Sequence, residues 1–329
     1  MHPIELPQLP DLFNDLRELL DQVPAGNVTT YGDLARGLGN VIASRWVAGC
    51  LLHDEVSADW PSHRVVRVDG SLGLYAHGDA DAKADALRGE GVRVSKGKVD
   101  LDLFGVRDFQ STRPLERLRR LQDELPLRCV LTPDVTDPTT VAGLDVSYAA
   151  GNIGVGGYAL VDAITGELLW STTVQCEVNF PYVSSYLAFR ELPVLAELLN
   201  LANEADKLAD VYMIDGAGIM HPRRAGVATH LGVLADIPTI GITKKLLAGK
   251  FDDTDAQPRE PREVIDGDEL LGVALRPRES SKRFIWSSPG HRMDVSTASE
   301  LTLRLLCGRR LPAPIYWADR LSRQACGDA

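Results

Sequence analysis

The sequence has no uninterrupted apolar run that approaches the roughly 18 residues of a membrane-spanning helix. Its first residues also lack the basic stretch and apolar core of a secretion signal. The five cysteines are widely scattered and form no Cys-x-x-Cys pair, which argues against a disulfide scaffold or a zinc knuckle and favours a reducing compartment. These absences predict a cytoplasmic protein with no membrane partner.

The chain also lacks an excess of positive charge, because 35 Lys and Arg against 46 Asp and Glu give a net charge of −11. Nucleic-acid binding normally requires a basic face, so the total argues against that class of partner. A local cluster of basic residues can bind phosphates even when the net charge of the chain is negative. The acidic remainder of the chain would then limit indiscriminate DNA binding. The sequence offers four such clusters: Arg117-Arg119-Arg120, Arg223-Arg224, Lys244-Lys245 and Lys282-Arg283.

Length and patterning predict two domains, since 329 residues exceed one typical domain. The first begins with an amphipathic helix behind Asp11, a residue type that caps helices. A short helix from Thr30 and a second from about Val41 to Leu52 are joined by a glycine turn, the pattern of a helix-turn-helix. The remainder up to Phe109 is predicted to be loop and short strand.

From Arg113 onward the pattern changes to that of an α/β domain. Apolar strands are predicted at 141–148, 153–162 and 168–178, followed by a helix near 185–201 and short buried strands at 211–215 and 239–242. The predicted domains are therefore 1–109 and 110–329.

Three carboxylates of the second domain lie at positions where an ionised side chain is either costly to bury or available to a ligand. Asp145 interrupts an apolar strand, and burying an unpaired carboxylate costs several kcal/mol. Asp215 ends a strand at a glycine-rich turn, a usual ligand position in an open sheet, and Glu191 lies on the intervening helix. Together they can bind one or two Mg²⁺ ions and support phosphodiester hydrolysis. For any one of them alone, a turn cap or an arginine partner is the favoured explanation, and only the set together with its surrounding motifs favours a metal site.

The residues around these carboxylates resemble endonuclease V, the deoxyinosine-directed nuclease family with a ribonuclease-H-like fold. The resemblance covers about Arg113 to Ser322. It rests on five motifs in the family's order: Gly-Leu-Asp-Val-Ser-Tyr at 143–148, Phe-Pro-Tyr at 180–182, Phe-Arg-Glu at 189–191, Asp-Gly-x-Gly-Ile-x-His-Pro-Arg-Arg at 215–224 and Ser-Pro-Gly-His at 288–291.

The resemblance implies a role for each matching position. Asp145 and Asp215 would bind Mg²⁺, with Mn²⁺ as an alternative ion, and Glu191 would lie close to the metal through water. His291 would help to position the metal-bound water, and His221 would lie near the scissile phosphate. Lys244 would support the metal site or steady the phosphate. Two other histidines, His77 and His230, are predicted to be structural.

Tyr182 resembles the family's wedge, which enters the duplex and fills the gap left by an extruded base. The alternative is a tyrosine packed in a loop. The wedge usually reads Pro-Tyr-Ile-Pro-Gly, whereas this chain has Ser184 and Ser185 at its last two positions, so Ser185 would crowd the base pocket. Ala217 also replaces a residue that is often polar in the family. Arg223, in the motif that follows Asp215, is a further candidate for DNA contact.

Residues 10–95 resemble the DNA-binding part of the O6-alkylguanine-DNA alkyltransferases. The resemblance rests on Val23–Ala35, on Pro61-Ser-His-Arg-Val-Val66, on Asp69-Gly-Ser-Leu-Gly73 and on Glu90-Gly-Val92. It implies that Tyr31 pushes a phosphate aside during base rotation. It also implies that Arg45 replaces the extruded nucleotide, the alternative being an ordinary surface arginine.

The acceptor of that family lies in Pro-Cys-His-Arg, and here Ser62 occupies the cysteine position. Alkyl transfer requires a soft nucleophile that ionises, and a serine hydroxyl is far less acidic than a thiol. Ser62, His63 and Glu90 superficially resemble a hydrolase triad, but no oxyanion hole or nucleophile turn is evident. Asp54 stands where an Asn is expected. The domain therefore resembles the alkyltransferase-like proteins, which bind alkylated guanine without repairing it.

The sequence thus predicts a two-domain DNA-repair endonuclease. A ribonuclease-H-like mixed sheet flanked by helices would follow a smaller, mainly helical, winged-helix-like domain. Its partner would be damaged DNA, with inosine-containing RNA as an alternative, and no obligate protein partner is implied. Two other hypotheses stay open: a non-catalytic damage-binding protein with a degenerate nuclease, and a suicide alkyltransferase, which Ser62 disfavours.

Overall fold

The computed structural model describes residues 4–52 and 59–327, which form two compact units. One unit comprises Gln8–Arg120 together with Phe180–Leu187. The other comprises Leu121–Asn179 and Ala188–Ala329 with the amino-terminal Met1–Pro7. The predicted domains 1–109 and 110–329 stay a prediction, because the compact units follow packing rather than chain order.

The first unit begins with α1 (Leu12–Asp21), and the predicted cap at Asp11 is confirmed. Its carboxylate accepts hydrogen bonds from the main-chain N–H groups of Phe13 and Asn14. The four leucines of the helix, at positions 12, 16, 19 and 20, are all buried. Burial of one leucine stripe against the rest of the unit is what stabilises so short a helix.

The predicted helix-turn-helix is present. The first helix, α2 (Tyr31–Gly37), is capped by the Thr30 hydroxyl, which accepts from the Asp33 N–H. The second begins later than predicted, because residues Val41–Ala43 form a 3₁₀ turn that leads into α3 (Ser44–Cys50). Asn40 caps that turn, which explains why the regular helix does not start at Val41.

The remainder of this unit contains a helix that the sequence pattern did not predict, α4 (Ala80–Gly89). Its Lys83 is fully buried and donates to the carbonyls of Val65, Leu72 and Leu74. The short strands β1 (Thr29–Thr30) and β2 (Val65–Val66) pair in parallel, and β3 (Val94–Ser95) pairs with β4 (Lys98–Val99). A 3₁₀ turn covers Ser62–Arg64, and α5 spans Leu101–Phe104.

The second unit is built on one mixed sheet of eight strands in the order β10-β11-β12-β9-β8-β5-β6-β7. The strands are β5 (Thr140–Ala149), β6 (Ile153–Asp162), β7 (Leu168–Glu177), β8 (Val211–Asp215), β9 (Thr239–Thr243), β10 (Arg262–Asp266), β11 (Glu269–Leu275) and β12 (Ile285–His291). The helices are α6 (Pro114–Arg128, which begins in the first unit), α7 (Leu187–Glu204), α8 (Val227–Ala235), α9 (Val295–Leu305) and α10 (Ala313–Ala325). The predicted α/β class with a helix-flanked mixed sheet is confirmed.

Strand pairing brings the two predicted aspartates together. Strands β5 and β8 are parallel, with Leu144 opposite Ile214, so Asp145 in the middle of β5 lies beside Asp215 at the end of β8. Helix α10 lies directly on β5 and β6 because Gly143 and Gly157 present no side chain there. A Cβ at Gly143 would lie 2.1 Å from the carbonyl oxygen of Pro314, and one at Gly157 2.4 Å from that of Ala318. Within the parts of the chain that are described, no helix is long and apolar enough to span a membrane.

Candidate active site

Three aspartates meet at the centre of the sheet. Asp145 on β5, Asp215 at the end of β8 and Asp319 on α10 each place a carboxylate oxygen within 4.8 Å of the other two. The close approach of α10 to β5 and β6 is what carries Asp319 to this position. No predicted ligand set included Asp319.

Asp145 is held in a buried, hydrogen-bonded position. Its Oδ2 accepts from the hydroxyl of Ser322, which lies 2.9 Å from the hydroxyl of Ser147. Burial, and then the negative charge of Asp215, raise the pKa of Asp145 to about 7. Asp145 therefore ionises less readily than an ordinary aspartate.

Lys244 provides positive charge at this cluster. Its Nζ lies 2.6 Å from Oδ2 of Asp215 and 3.3 Å from Oδ1 of Asp319. Burial by itself would lower the pKa of Lys244, but the carboxylates of Asp215, Asp319 and Asp145 raise it above its ordinary value. The lysine is therefore charged and pairs with the acidic cluster, and its role in supporting the metal site or steadying the phosphate stays a prediction.

Glu191 lies on α7, buried beside the cluster. Its pKa is raised well above the ordinary value by burial and by the charges of Asp145 and Asp215. Among the residues described it is not part of the group of three whose oxygens lie within 4.8 Å of one another. The arrangement places Glu191 near the aspartates rather than among them.

The donor set fits a hard divalent cation. All three close ligands are carboxylate oxygens, the type that Mg²⁺ and Mn²⁺ prefer. Burial first, and then the negative charge of Asp215, keep the pKa of Asp145 raised although the ammonium of Lys244 lies in the same cluster. A divalent ion at this point would supply the missing charge, so Asp145, Asp215 and Asp319 are the residues that would hold it.

The two predicted catalytic histidines have their own partners. The Nδ1 of His221 accepts from the main-chain N–H of Arg223 at 3.2 Å, and burial followed by Arg223 and Arg224 lowers the His221 pKa to about 4. The ring of His291 contacts the Val130 N–H at 3.2 Å and Asp236 at 3.1 Å. The roles of His221 near phosphate and of His291 near the metal rest on the resemblance and stay predictions.

Several other predicted positions are engaged within the protein. Both Nε and Nη2 of Arg223 donate to Oε1 of Gln122, at 3.0 and 2.6 Å, so its predicted contact with DNA stays a prediction. Arg224 pairs with Asp266 and Glu269, which removes one member of a predicted basic cluster from the free surface. His230 is buried edge-on against Phe189, a structural placement as predicted.

The predicted DNA-contacting residues of the first unit differ in exposure. Tyr31 begins α2 half-buried, and burial raises its pKa. Arg45 is exposed on α3, and Tyr182, in the segment Phe180–Leu187, is 61% exposed. Ser185 has φ +67°, a left-handed backbone conformation that explains the glycine usual at this wedge position.

The superficial hydrolase triad of Ser62, His63 and Glu90, which the sequence disfavours, is not assembled among the described residues. The Ser62 hydroxyl is buried and has no hydrogen-bond partner in the part of the chain that the structure describes. Glu90 instead accepts from Nε and Nη2 of Arg64 and contacts Nε2 of His63 at 2.8 Å. A nucleophile requires a bond to its base, so the hydrolase interpretation is wrong. Asp54 lies outside the described residues.

The carboxylate cluster lies within a segment that matches a known family. Residues 123–320 match endonuclease V, and residues 11–92 match the DNA-binding domain of 6-O-methylguanine DNA methyltransferase. The chain belongs to the endonuclease V family. It carries the methyltransferase-type DNA-binding domain in front of the endonuclease V domain. Both resemblances inferred from the sequence motifs are confirmed.

Relatives share either the whole chain or the endonuclease V part. A bifunctional methyltransferase/endonuclease from Thermoplasma volcanium is 33% identical over 319 residues, covering 95% of this chain and 90% of that protein. The catalytic domain of human endonuclease V is similar with a TM-score of 0.61 and 30% identity, covering 67% of this chain and 100% of that chain. Endonuclease V from Ciona intestinalis, solved with a 23mer DNA containing an inosine followed by a ribo-adenosine, has a TM-score of 0.60 and 25% identity over 66% of this chain and 99% of that one.

Asp319 is a candidate metal-binding residue of this endonuclease V domain that the sequence motifs did not indicate. The helix Ala313–Ala325 is amphipathic, and an acid on such a helix usually faces solvent. The available signal was the i, i+3 pair of Asp319 and Ser322, which places a carboxylate and a small hydroxyl on one face. That face is the one that packs on Asp145.

Proposed function

We propose that this protein is a Mg²⁺-dependent endonuclease that cleaves DNA at the second phosphodiester 3′ to deoxyinosine or another deaminated base, leaving a 3′-hydroxyl and a 5′-phosphate. The convergence of Asp145, Asp215 and Asp319 within an endonuclease V domain carries this proposal. The Ciona structure with inosine-containing DNA supports deoxyinosine as the lesion class.

The protein's own residues supply the framework for hydrolysis. A divalent ion held by the three aspartates would activate a water and neutralise charge on the phosphodiester. Ser322 fixes the orientation of Asp145, and Lys244 fixes Asp215 and Asp319. Glu191, buried beside the cluster, is placed to accept or release a proton near the attacking water. Nδ1 of His221 accepts from the main-chain N–H of Arg223, so the neutral ring carries its proton on Nε2, which could donate a hydrogen bond to a phosphate oxygen.

The amino-terminal domain, we propose, binds lesion-bearing DNA without alkyl transfer. Ser62 replaces the family's acceptor thiol, and its hydroxyl makes no hydrogen bond with His63 among the described residues. Incubation with DNA labelled on the O6-methyl group should leave the native protein unlabelled. The Ser62→Cys variant tests the geometry, because the retained His63–Glu90 contact would favour a thiolate and one label per chain.

The experiment that tests cleavage compares nicking of end-labelled duplexes that carry deoxyinosine, O6-methylguanine or neither, with Mg²⁺ or with EDTA. Inosine-containing RNA is run beside them, and Mn²⁺ replaces Mg²⁺ in one arm. We expect nicking of the deoxyinosine duplex only with a divalent ion. Equal rates on all three duplexes would contradict lesion guidance.

A non-catalytic damage-binding protein is the second candidate, favoured by the Ser184-Ser185 departure in the wedge. It predicts tight lesion binding, no nicking in either metal, and no effect of Asp215→Ala beyond stability. The intact carboxylate cluster favours the enzyme.

A further inference from the structure

The segment Phe180–Leu187 is fixed within the first unit by one buried tyrosine. The hydroxyl of Tyr186 donates to the carbonyl of Leu115 at 3.1 Å and accepts from Nδ2 of Asn40 at 2.8 Å. Phe180 and Val183 of the same segment are also buried. The segment that carries Tyr182 therefore has a defined position against the helix-turn-helix, although it is remote from it in sequence.

Asn40 also fixes the start of the helix that carries Arg45. Its Oδ1 accepts from the main-chain N–H of Ile42 at 3.1 Å, which caps the 3₁₀ turn leading into α3. One amide side chain thus donates toward the Tyr182 segment and accepts from the Arg45 segment. Its two hydrogen bonds set the separation of the two segments.

A pocket of about 200 Å³ lies where these segments meet. Ile42, Arg45 and Trp46 line one side, and Tyr182, Val183 and Ser184 line the other. The indole of Trp46 is held edge-on against Phe13, with ring centroids 5.4 Å apart. The pocket therefore combines fixed aromatic surface with a cation.

Exposed apolar surface surrounds the same pocket. Ile42 and Tyr182, which line the pocket, are 40% and 61% exposed, and Val41, next to Ile42 in the chain, is 51% exposed. Aromatic faces beside a guanidinium suit a flat, unstacked nucleobase with its phosphate, because the rings stack and the cation pairs with the phosphate.

We propose that this pocket binds one unpaired nucleobase of the DNA substrate, and that Asn40 is the positioning residue that holds Arg45 and Tyr182 as its two sides. The wedge tyrosine and the arginine of the helix-turn-helix then act on the same base rather than at two sites. The proposal rests on the proposed function for the identity of DNA as substrate, but it does not require cleavage.

The test measures binding of the full-length protein in EDTA to two labelled duplexes, one fully paired and one with a single unpaired base. The native protein should prefer the unpaired duplex by about tenfold, the scale of one stacked base. Arg45→Ala and Tyr182→Ala should each abolish most of that preference, whereas Tyr182→Phe, which keeps the ring, should retain it.

Coupling between the two residues decides whether they share a base. The double variant Arg45→Ala/Tyr182→Ala should lose no more than either single variant, because both remove the same contact. Losses that multiply would show two separate sites and overturn the proposal. Unchanged preference in both single variants would also overturn it and assign the pocket to another occupant, such as a protein segment.

Asn40→Asp and Tyr186→Phe test whether the hydrogen bond between Asn40 and Tyr186 positions Arg45 and Tyr182 around the pocket. Asn40→Asp keeps the acceptor for the Ile42 N–H but removes the donor to Tyr186, so the preference should fall while helix content is retained. Asn14→Asp, an exposed substitution on α1, is the matched control. If the protein does not nick the deoxyinosine duplex but still prefers the duplex with an unpaired base, only the proposed function is contradicted. If it nicks normally but these variants leave the preference for the unpaired base unchanged, only this inference is contradicted.

Discussion

The ammonium group of Lys244 lies 2.6 Å from a carboxylate oxygen of Asp215, at the point where the chain would hold a divalent cation. A lysine there offsets part of the repulsion among the aspartates and stabilises the protein before any ion binds. The ion and the lysine thus stabilise the same charges.

Lys244→Met should lower the thermal midpoint of the metal-free protein and enlarge the rise that Mg²⁺ produces. The loss should be smaller than the about 3–5 kcal/mol of a fully buried pair, because the Lys244 side chain is 34% exposed. Ligand-linked stabilisation is measured by thermal unfolding at increasing Mg²⁺. Lys245→Met, at an exposed neighbour, should change neither quantity, and an unaltered Mg²⁺ response in Lys244→Met would contradict the assignment.

Asp319→Asn should reduce nicking of deoxyinosine duplex by at least about 100-fold, because it replaces one of three close carboxylates by a neutral amide, which binds a divalent cation more weakly. Duplex affinity in EDTA should change little, since no lesion contact is lost. The rate and the affinity are measured on the same duplex. Glu300→Gln, which removes an exposed acid from α9, is the control for net charge, and normal nicking by Asp319→Asn would place the metal elsewhere.

Glu90→Gln should destabilise the protein at neutral pH and much less in acid. Burial alone would raise the pKa of Glu90, but hydrogen bonds from Arg64 and His63 lower it to about 2. A lowered pKa gives stability that is present above the ordinary value of 4.5 and lost as pH falls from there toward 2. The expected difference is about 3 kcal/mol at pH 7. Urea unfolding from pH 3 to 7 measures it, with exposed Glu18→Gln as control, and a pH-independent difference would contradict the ionic origin.

Ser185→Gly should stabilise the wedge segment. The Ser185 backbone has φ +67°, and a side chain in that region costs about 1 kcal/mol. Thermal unfolding should show a gain for Ser185→Gly and none for Ser185→Ala, which retains the Cβ. A gain in both variants would assign the effect to loss of the hydroxyl instead.

Much of the sheet and part of the site follow from local pattern. Continuous apolar runs predicted β5, β6 and β8, and the position of Asp145 and Asp215 in those runs predicted that they would converge. The order of the endonuclease V motifs along the chain also indicated Lys244. These features were predictable because a strand's ends and faces are fixed by its own residues.

Other features depend on contacts between distant segments. Helix α4 lacks a clear apolar stripe and is stabilised by the buried Lys83, whose carbonyl partners lie elsewhere in the chain. Glu90 contacts both His63 and Arg64, whereas the Ser62 hydroxyl has no hydrogen-bond partner among the residues described. The sequence around Ser62 and His63 does not show that Glu90 also pairs with Arg64.

The sequence by itself determined the two modules, the strand carboxylates and the loss of the alkyl acceptor, since each of these is a property of residue type and spacing. Tertiary structure alone decided that Asp319 completes the carboxylate group and that Tyr182 shares a pocket with Arg45. The physical reason is that helix packing over glycines and the two hydrogen bonds of Tyr186 join segments far apart in the chain, and such pairings leave no local pattern.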